Sequence, residues 1–198
     1  MCTSIDPSDD VLIEIAIAEG VKYFRGSLKN KLKRWADCCN EFGIDSFHSV
    51  DADDPFFDSE LMKDSMRLLV EGYDVVCPTE SSSAGSASVG YSLTSEIIRK
   101  AVELTDTNTD TEMMWYYLEK ITGIKKTVLP ESKQDNYKVR LTLDYEEDYW
   151  LLESVRRILG NNCKREEVDE LFNKNPDLYK VNWFRNEEWK KVQQSKEI

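Results

Sequence analysis

Apolar positions along this chain recur with two spacings, three-to-four residues and two, and the alternation predicts short strands set between amphipathic helices. A polar opening, Met1–Asp10, offers several cap candidates before Val11, Leu12, Ile15 and Ala16, and Gly20 closes that first helix. Val21-Lys22-Tyr23-Phe24 reads as a short strand ended by Arg25-Gly26-Ser27, and Leu32, Trp35, Ala36 and Cys39 form the next helical stripe, up to Gly43. An apolar run from Phe47 toward Asp53 follows, then a helix with Met62, Met66, Leu69 and Val70 on one face, then a strand over Asp74-Val75-Val76-Cys77-Pro78. Ile97, Ile98, Ala101 and Leu104 mark a further helix, and Met113, Met114, Tyr117, Leu118 and Ile121 another, whose methionines read as packing rather than as ligands. The strictest alternation lies in Tyr137–Asp144, which puts Val139, Leu141 and Leu143 on one face and Arg140, Thr142 and Asp144 on the other. Glu146–Leu159 closes the series as a helix with Leu151, Val155, Ile158 and Leu159 inward. Strands alternating with helices of this size imply right-handed crossovers, hence an α/β fold with a mostly parallel, doubly wound sheet and helices on both faces.

Two segments interrupt that pattern. Ser81-Ser82-Ser83-Ala84-Gly85-Ser86-Ala87-Ser88 is small and polar with little to bury, so it reads as a mobile linker or as a loop that folds over a ligand. The tail from 176 to 198 mixes Trp183, Phe184 and Trp189 with charge, and its aromatics cover a sheet edge or make a dimer contact.

The candidate chemistry sits where the Phe47 run ends in a knot of carboxylates, Asp51-Ala52-Asp53-Asp54-Pro55-Phe56-Phe57-Asp58. Were the backbone extended to Asp53, Phe47, Ser49, Asp51 and Asp53 would share one face, with His48, Val50 and Ala52 on the other. Paired carboxylates at a strand end suit Mg²⁺ bound together with a substrate's phosphates. The alternative is a solvated acidic turn, with Asp58 capping the next helix and Glu60 in its first turn. An EF-hand fits worse, because Pro55 stands where an oxygen ligand belongs and the following glycine is missing. Arg140 and Asp144, on one strand face, either pair with each other or hold an anion and its metal.

Composition narrows the classes. The 198 residues are 40% hydrophobic and 11% aromatic, enough for one well-packed domain over 1–198. A formal net charge of −12, from 38 acidic and 26 basic residues, argues against general binding to nucleic acid or anionic membrane. Five cysteines without a C-x-x-C pair fit a reduced, cytoplasmic protein and read as structural. No apolar run reaches the ~20 residues of a membrane span, and no signal peptide pattern opens the chain.

Six fragments then fall in register. Asp6-Pro7-Ser8-Asp9-Asp10, Phe24-Arg25-Gly26-Ser27, Leu32 with Arg34, Ala52-Asp53-Asp54-Pro55, Gly90 with Glu96, and Arg140-Leu141-Thr142-Leu143-Asp144 with Asp148 recur in that order in a cytidylyltransferase family. The chain resembles its acylneuraminate and 3-deoxy-manno-octulosonate cytidylyltransferases, and looks closest to the spore-coat polysaccharide branch, from Thr3 to about Asn182. The resemblance implies a nucleotide-binding sheet related to the glycosyltransferase A architecture. It also implies transfer of CMP from CTP to a sugar, usually acidic, with Mg²⁺ and release of pyrophosphate. By position, Asp53 and Asp144 match the metal-binding, catalytic aspartates, Arg34 an arginine near the nucleotide, and Gly90, Tyr91 and Glu96 the segment facing the sugar, with Arg140 in the substrate constellation. Partners so implied are CTP and a sugar, with a homodimer open.

Two departures stand beside it. Ser49 and Asp51 replace an arginine and a small residue of many relatives. Family members also begin with a strand and a Gly/Ser/Arg/Lys loop around the triphosphate, to which nothing in Met1–Gly26 corresponds. The chain is therefore expected to lack that N-terminal unit, as a fragment or as a shortened relative, and to release little pyrophosphate alone. The competing functions are a nucleotide-sugar glycosyltransferase, with Asp51-Ala52-Asp53 as its D-x-D, and a non-catalytic binding partner.

Overall fold

The computed structural model describes residues 1–106, 108–131 and 138–195. In chain order its elements are β1 (Cys2–Ser4), a 3₁₀ turn (Pro7–Asp9), α1 (Asp10–Ala18), β2 (Phe24–Gly26), α2 (Lys31–Phe42), β3 (Ser46–His48), α3 (Ser59–Val70), β4 (Val75–Cys77), a π-helical turn (Ser82–Ser86), β5 (Ser92–Thr94), α4 (Ser95–Val102), α5 (Trp115–Leu118), β6 (Lys126–Val128), α6 (Glu146–Leu159), α7 (Arg165–Lys174), a 3₁₀ turn (Leu178–Val181) and α8 (Trp183–Ser195). The fold is α/β, and its residues group into two compact units. Unit 1 comprises Met1–Phe47 and Leu93–Lys125, and unit 2 His48–Ser92 and Lys126–Ile198. Among the described residues no helix is long and apolar enough to cross a membrane.

Unit 1 forms around the α2 stripe. Asn30 caps this helix, its Oδ1 accepting from Lys33 N at 2.8 Å, and Gly43 ends it at φ 63°, a conformation that costs a glycine nothing. Leu32, Trp35, Ala36 and Cys39 are buried, as their spacing requires, and α4 packs against α2 with Ile97, Ile98 and Ala101 inside. Strands β1 and β2 pair in parallel, Cys2 opposite Phe24. The Asp45 carbonyl accepts from Ser95 N, while at the other end of the same strand pair the Tyr91 carbonyl accepts from Ser49 N, so β3 and β5 run antiparallel.

Unit 2 holds β4 and β6 in parallel, Val75 opposite Lys126. One cluster joins Leu69, Val76, Val89 and Leu129, and a second joins Val139, Leu141, Leu151, Leu152, Val155, Val168 and Phe172. The Asp58 carboxylate caps α3, its Oδ1 accepting from Glu60 N at 2.8 Å and Leu61 N at 3.1 Å, while its Oδ2 accepts from Arg165 N at the start of α7.

Several sequence expectations change. The strand expected to reach Asp53 ends at His48, and residues 51–54 form a turn closed by Asp54 N donating to Asp51 O at 3.2 Å. Consecutive aspartates favour turns and Pro55 offers no N–H to a ladder. The segment expected as the strand Tyr137–Asp144 has no strand pairing from Lys138 on, and Tyr137 lies outside the described residues. Its alternate amides go to two different loops, Leu141 N to Gly85 O and Leu143 N to Asp53 O, both 2.9 Å, so no ladder forms. The helix expected over Met113–Ile121 shortens to α5, with Met114 and Leu118 buried.

The serine segment is packed rather than loose. Ser81, Ser82, Ser86 and Ser88 are buried, and Ser82 Oγ donates to Val89 O at 2.8 Å while accepting from Ser88 N and Val89 N, both at 3.1 Å. Short hydroxyls satisfy the turn's own backbone here, which lets a polar segment go inside.

Candidate functional site

The most concentrated polar cluster of unit 2 is built on Arg140. Its side chain is fully buried, and its guanidinium grips Asp148 with two parallel bonds of 2.9 Å, Nε to Oδ1 and Nη2 to Oδ2. Nη2 also donates to Asp144 Oδ2 at 2.7 Å, and Nη1 reaches Asn186 Oδ1 at 3.4 Å. Asp148, equally buried, accepts the amides of Asp144 and Tyr145 on Oδ2, each at 3.0 Å, which satisfies donors ahead of α6. Asn182 donates to Asp148 Oδ1 at 2.8 Å and to Arg140 O at 3.0 Å. The Tyr145 ring meets two guanidinium groups, Arg140 Cζ at 5.3 Å and Arg185 Cζ at 5.0 Å from its centre, and Arg185 anchors α8 by pairing with Glu147 on α6.

That frame fixes Asp144. Its Oδ2 accepts from Arg140 and, at 3.3 Å, from Thr142 Oγ1, while Oδ1 has no hydrogen bond among the described residues and the side chain is 30% exposed. The bond from Leu143 N to Asp53 O sets the backbone of Asp53 beside that of Asp144. Asp53 is half-buried. Among the described residues no three His, Cys, Asp or Glu side chains converge as a ligand group. Two carboxylates held by neighbouring backbones suit a hard, partly hydrated cation that takes its remaining ligands from water and phosphate, and do not suit a closed structural site.

The other predicted residues serve this cluster indirectly or make contacts of their own, those of unit 1 within unit 1. Arg140 has no exposed surface, so it positions Asp144 and Asp148 rather than meeting a solute. Gly90 and Tyr91 run against Ser49: Gly90 N donates to His48 Nε2 at 3.2 Å, Tyr91 N donates to Ser49 Oγ at 3.1 Å, and a Cβ on Gly90 would stand 2.0 Å from Ser49 O. Glycine at 90 is thus required by close backbone approach. In unit 1, Arg34 donates from Nη1 to Ser27 O at 2.6 Å and Leu28 O at 3.2 Å, bracing the turn after β2, while its buried Nε has no hydrogen-bond partner among the described residues. Glu96, on the solvent side of α4, pairs with Lys100 at 2.7 Å. The opening motif is structural too: Asp9 Oδ2 accepts from Thr3 Oγ1, Ser4 Oγ and Ser4 N, which draws its pKa down to about 2, and Arg25 holds Ser4 O and Asp6 O. A separate groove of about 290 Å³, lined in part by Phe56, Asp58, Asn162 and Lys164, contains none of the predicted site residues.

Sequence reasoning missed Asn182 and Asn186. Single asparagines carry no periodicity, and nothing local marks them as partners of a distant arginine. Asp148 left a faint signal, an acid at the third helical position ready to take the amides ahead of α6.

No protein-family model matches the sequence, and no curated protein does. Among solved structures, a cytidylyltransferase from Leptospira borgpetersenii serovar Hardjo-bovis (strain JB197) is similar with a TM-score of 0.78, over 89% of this chain and 76% of that chain, at 23% sequence identity. At that identity the likeness establishes a shared fold.

Proposed function

We propose that the chain transfers CMP from CTP to a sugar, an acidic one destined for surface polysaccharide as in the family its motifs resemble, with release of pyrophosphate. The observation that carries this reading is Asp144, 30% exposed and held by Arg140 through one oxygen, following Leu143, whose amide donates to the Asp53 carbonyl. The fold shared with a cytidylyltransferase supports the same reading. Asp53 and Asp144 would hold Mg²⁺, which when bound neutralises the charge of the triphosphate and the departing pyrophosphate. The chain's own residues supply position: Arg140 and Asp148 fix the orientation of the Asp144 carboxylate, and the Leu143 amide fixes the spacing to Asp53. Transfer of this kind needs no protein nucleophile, only an acceptor hydroxyl in line with the leaving group. A nucleotide-sugar glycosyltransferase using Asp51-Ala52-Asp53 is disfavoured, because it would leave the Asp144 oxygen that Arg140 does not hold without a ligand.

The test is pyrophosphate release from CTP and Mg²⁺ with a panel of acidic sugars, assayed on the full product of the reading frame. Asp53→Asn and Asp144→Asn should each lower turnover at least about 100-fold, on the order of 3 kcal/mol of transition-state stabilisation, with Tm nearly unchanged. Full activity in either variant overturns the assignment.

A further inference from the structure

Two thiols of unit 1 meet where β1 packs on α2. Cys2 opens β1, and its Sγ donates to the Arg34 carbonyl at 3.8 Å. Arg34 lies one helical turn before Cys38, and helical side chains lean toward the N-terminus, so the Cys38 thiol covers the turn over which Cys2 Sγ sits. Cys38 is the neighbour that, after burial, most raises the Cys2 thiol. Both residues are half-buried, within reach of a small solute, whereas neighbouring Cys39 is buried on the inner stripe with Leu32, Trp35 and Ala36.

We propose that Cys2 and Cys38 are a dithiol that a peroxide closes to a disulfide, a covalent modification tying β1 to α2. The Cys38 thiolate attacks one peroxide oxygen, the O–O bond breaks, and the departing hydroxide takes a proton to leave as water. Cys38 is then a sulfenic acid. The Cys2 sulfur, giving up its proton, attacks the Cys38 sulfur, the S–O bond breaks, and a second water leaves. Two thiols and one peroxide thus yield one disulfide and two waters. The order follows from the site: the Cys2 thiol is engaged as a donor to the Arg34 carbonyl and burial raises it, so Cys2 stays protonated and resolves while Cys38 initiates. Closure also removes the thiol donor from the Arg34 carbonyl.

The experiment needs no enzymatic assay and does not depend on the proposed function. The purified protein is treated with stoichiometric hydrogen peroxide, alkylated, and mapped by peptide mass spectrometry. The expected product is one intramolecular cross-link between the Cys2 and Cys38 peptides, reversed by dithiothreitol, with a Tm several degrees higher than the reduced protein. Cys38→Ser abolishes it. Cys2→Ser, which keeps a donor for Arg34 O, leaves Cys38 trapped by dimedone as the sulfenic acid, and Cys39→Ser changes nothing. Cys2 and Cys38 both remaining alkylatable, or a cross-link through Cys39 or between chains, overturns the proposal.

Discussion

Arg140 has no water to turn to, so its worth is set by the two aspartates it separates. Arg140→Met leaves the Asp148 carboxylate buried with only neutral donors, a loss expected to cost about 3–5 kcal/mol, read as a fall in the urea midpoint at unchanged slope. Lysine should rescue little, because a single ammonium cannot reproduce the paired bonds to Asp148 and the third to Asp144. His48 gives a second test at this scale. Its Nε2 accepts from Gly90 N, which assigns the neutral ring a proton on Nδ1, 2.7 Å from Ser92 Oγ, and its ring packs edge-on to Phe57. Burial lowers its pKa to about 4, against about 6.5 in an unfolded chain. A group depressed in the folded state stabilises fully above the unfolded value and loses that contribution as pH falls through the folded one. Stability should therefore decline between about pH 6.5 and 4, and His48→Asn, though less stable, should show a flatter Tm profile there. Parallel profiles would remove His48 from the acid response.

Among the elements, α8 and the serine turn form one joint. Asn186 is fully buried, its Nδ2 donating to Ala84 O at 3.0 Å and its Oδ1 facing Arg140. Gly85 sits at φ 124°, and a Cβ there would come within 2.7 Å of Asn186 Oδ1. Gly85→Ala should lose more than about 1 kcal/mol and speed proteolysis within 81–88, and adding Asn186→Ala should cost less than the sum of the single changes, because it removes the clash. Additive losses would show that strain alone, not the contact, sets the penalty. This joint was illegible in the sequence, since its bonds span 34 residues from Asn182 to Asp148 and 102 from Asn186 to Ala84. Helices were legible where an apolar stripe recurs, as in α2, and best where stripe and cap agree, as in α3 with Asp58; the Asn30 cap of α2 was not read from the sequence. The segment before Asp144 deceived because alternation records only which side chains are covered. It does not say whether the backbone partner is a strand or two loops. Ser81–Ser88 deceived for the opposite reason: composition counts polar atoms but not the backbone groups they satisfy.

For the molecule as a whole, charge is the first constraint on any polyanionic ligand. With a net charge of −12 the chain repels a nucleoside triphosphate, and Asp53 and Asp144 add to that repulsion at the candidate site. CTP should accordingly bind at least about tenfold more tightly with Mg²⁺ than in EDTA by calorimetry, equal affinities arguing that the site recognises the nucleotide without a cation. The path of the chain carries another consequence, for its birth. Unit 1 takes its last residues up to Lys125 and unit 2 its last from beyond Lys126, so neither is a contiguous stretch of the gene. On a ribosome adding about 5–20 residues per second, Arg140 and both of its aspartates are added roughly 1–5 seconds after Lys125, the last residue of unit 1. Until then the Asp53 turn, already made, waits without the backbone amide of Leu143 that will hold it, and a nascent chain at that stage carries one half of the proposed site.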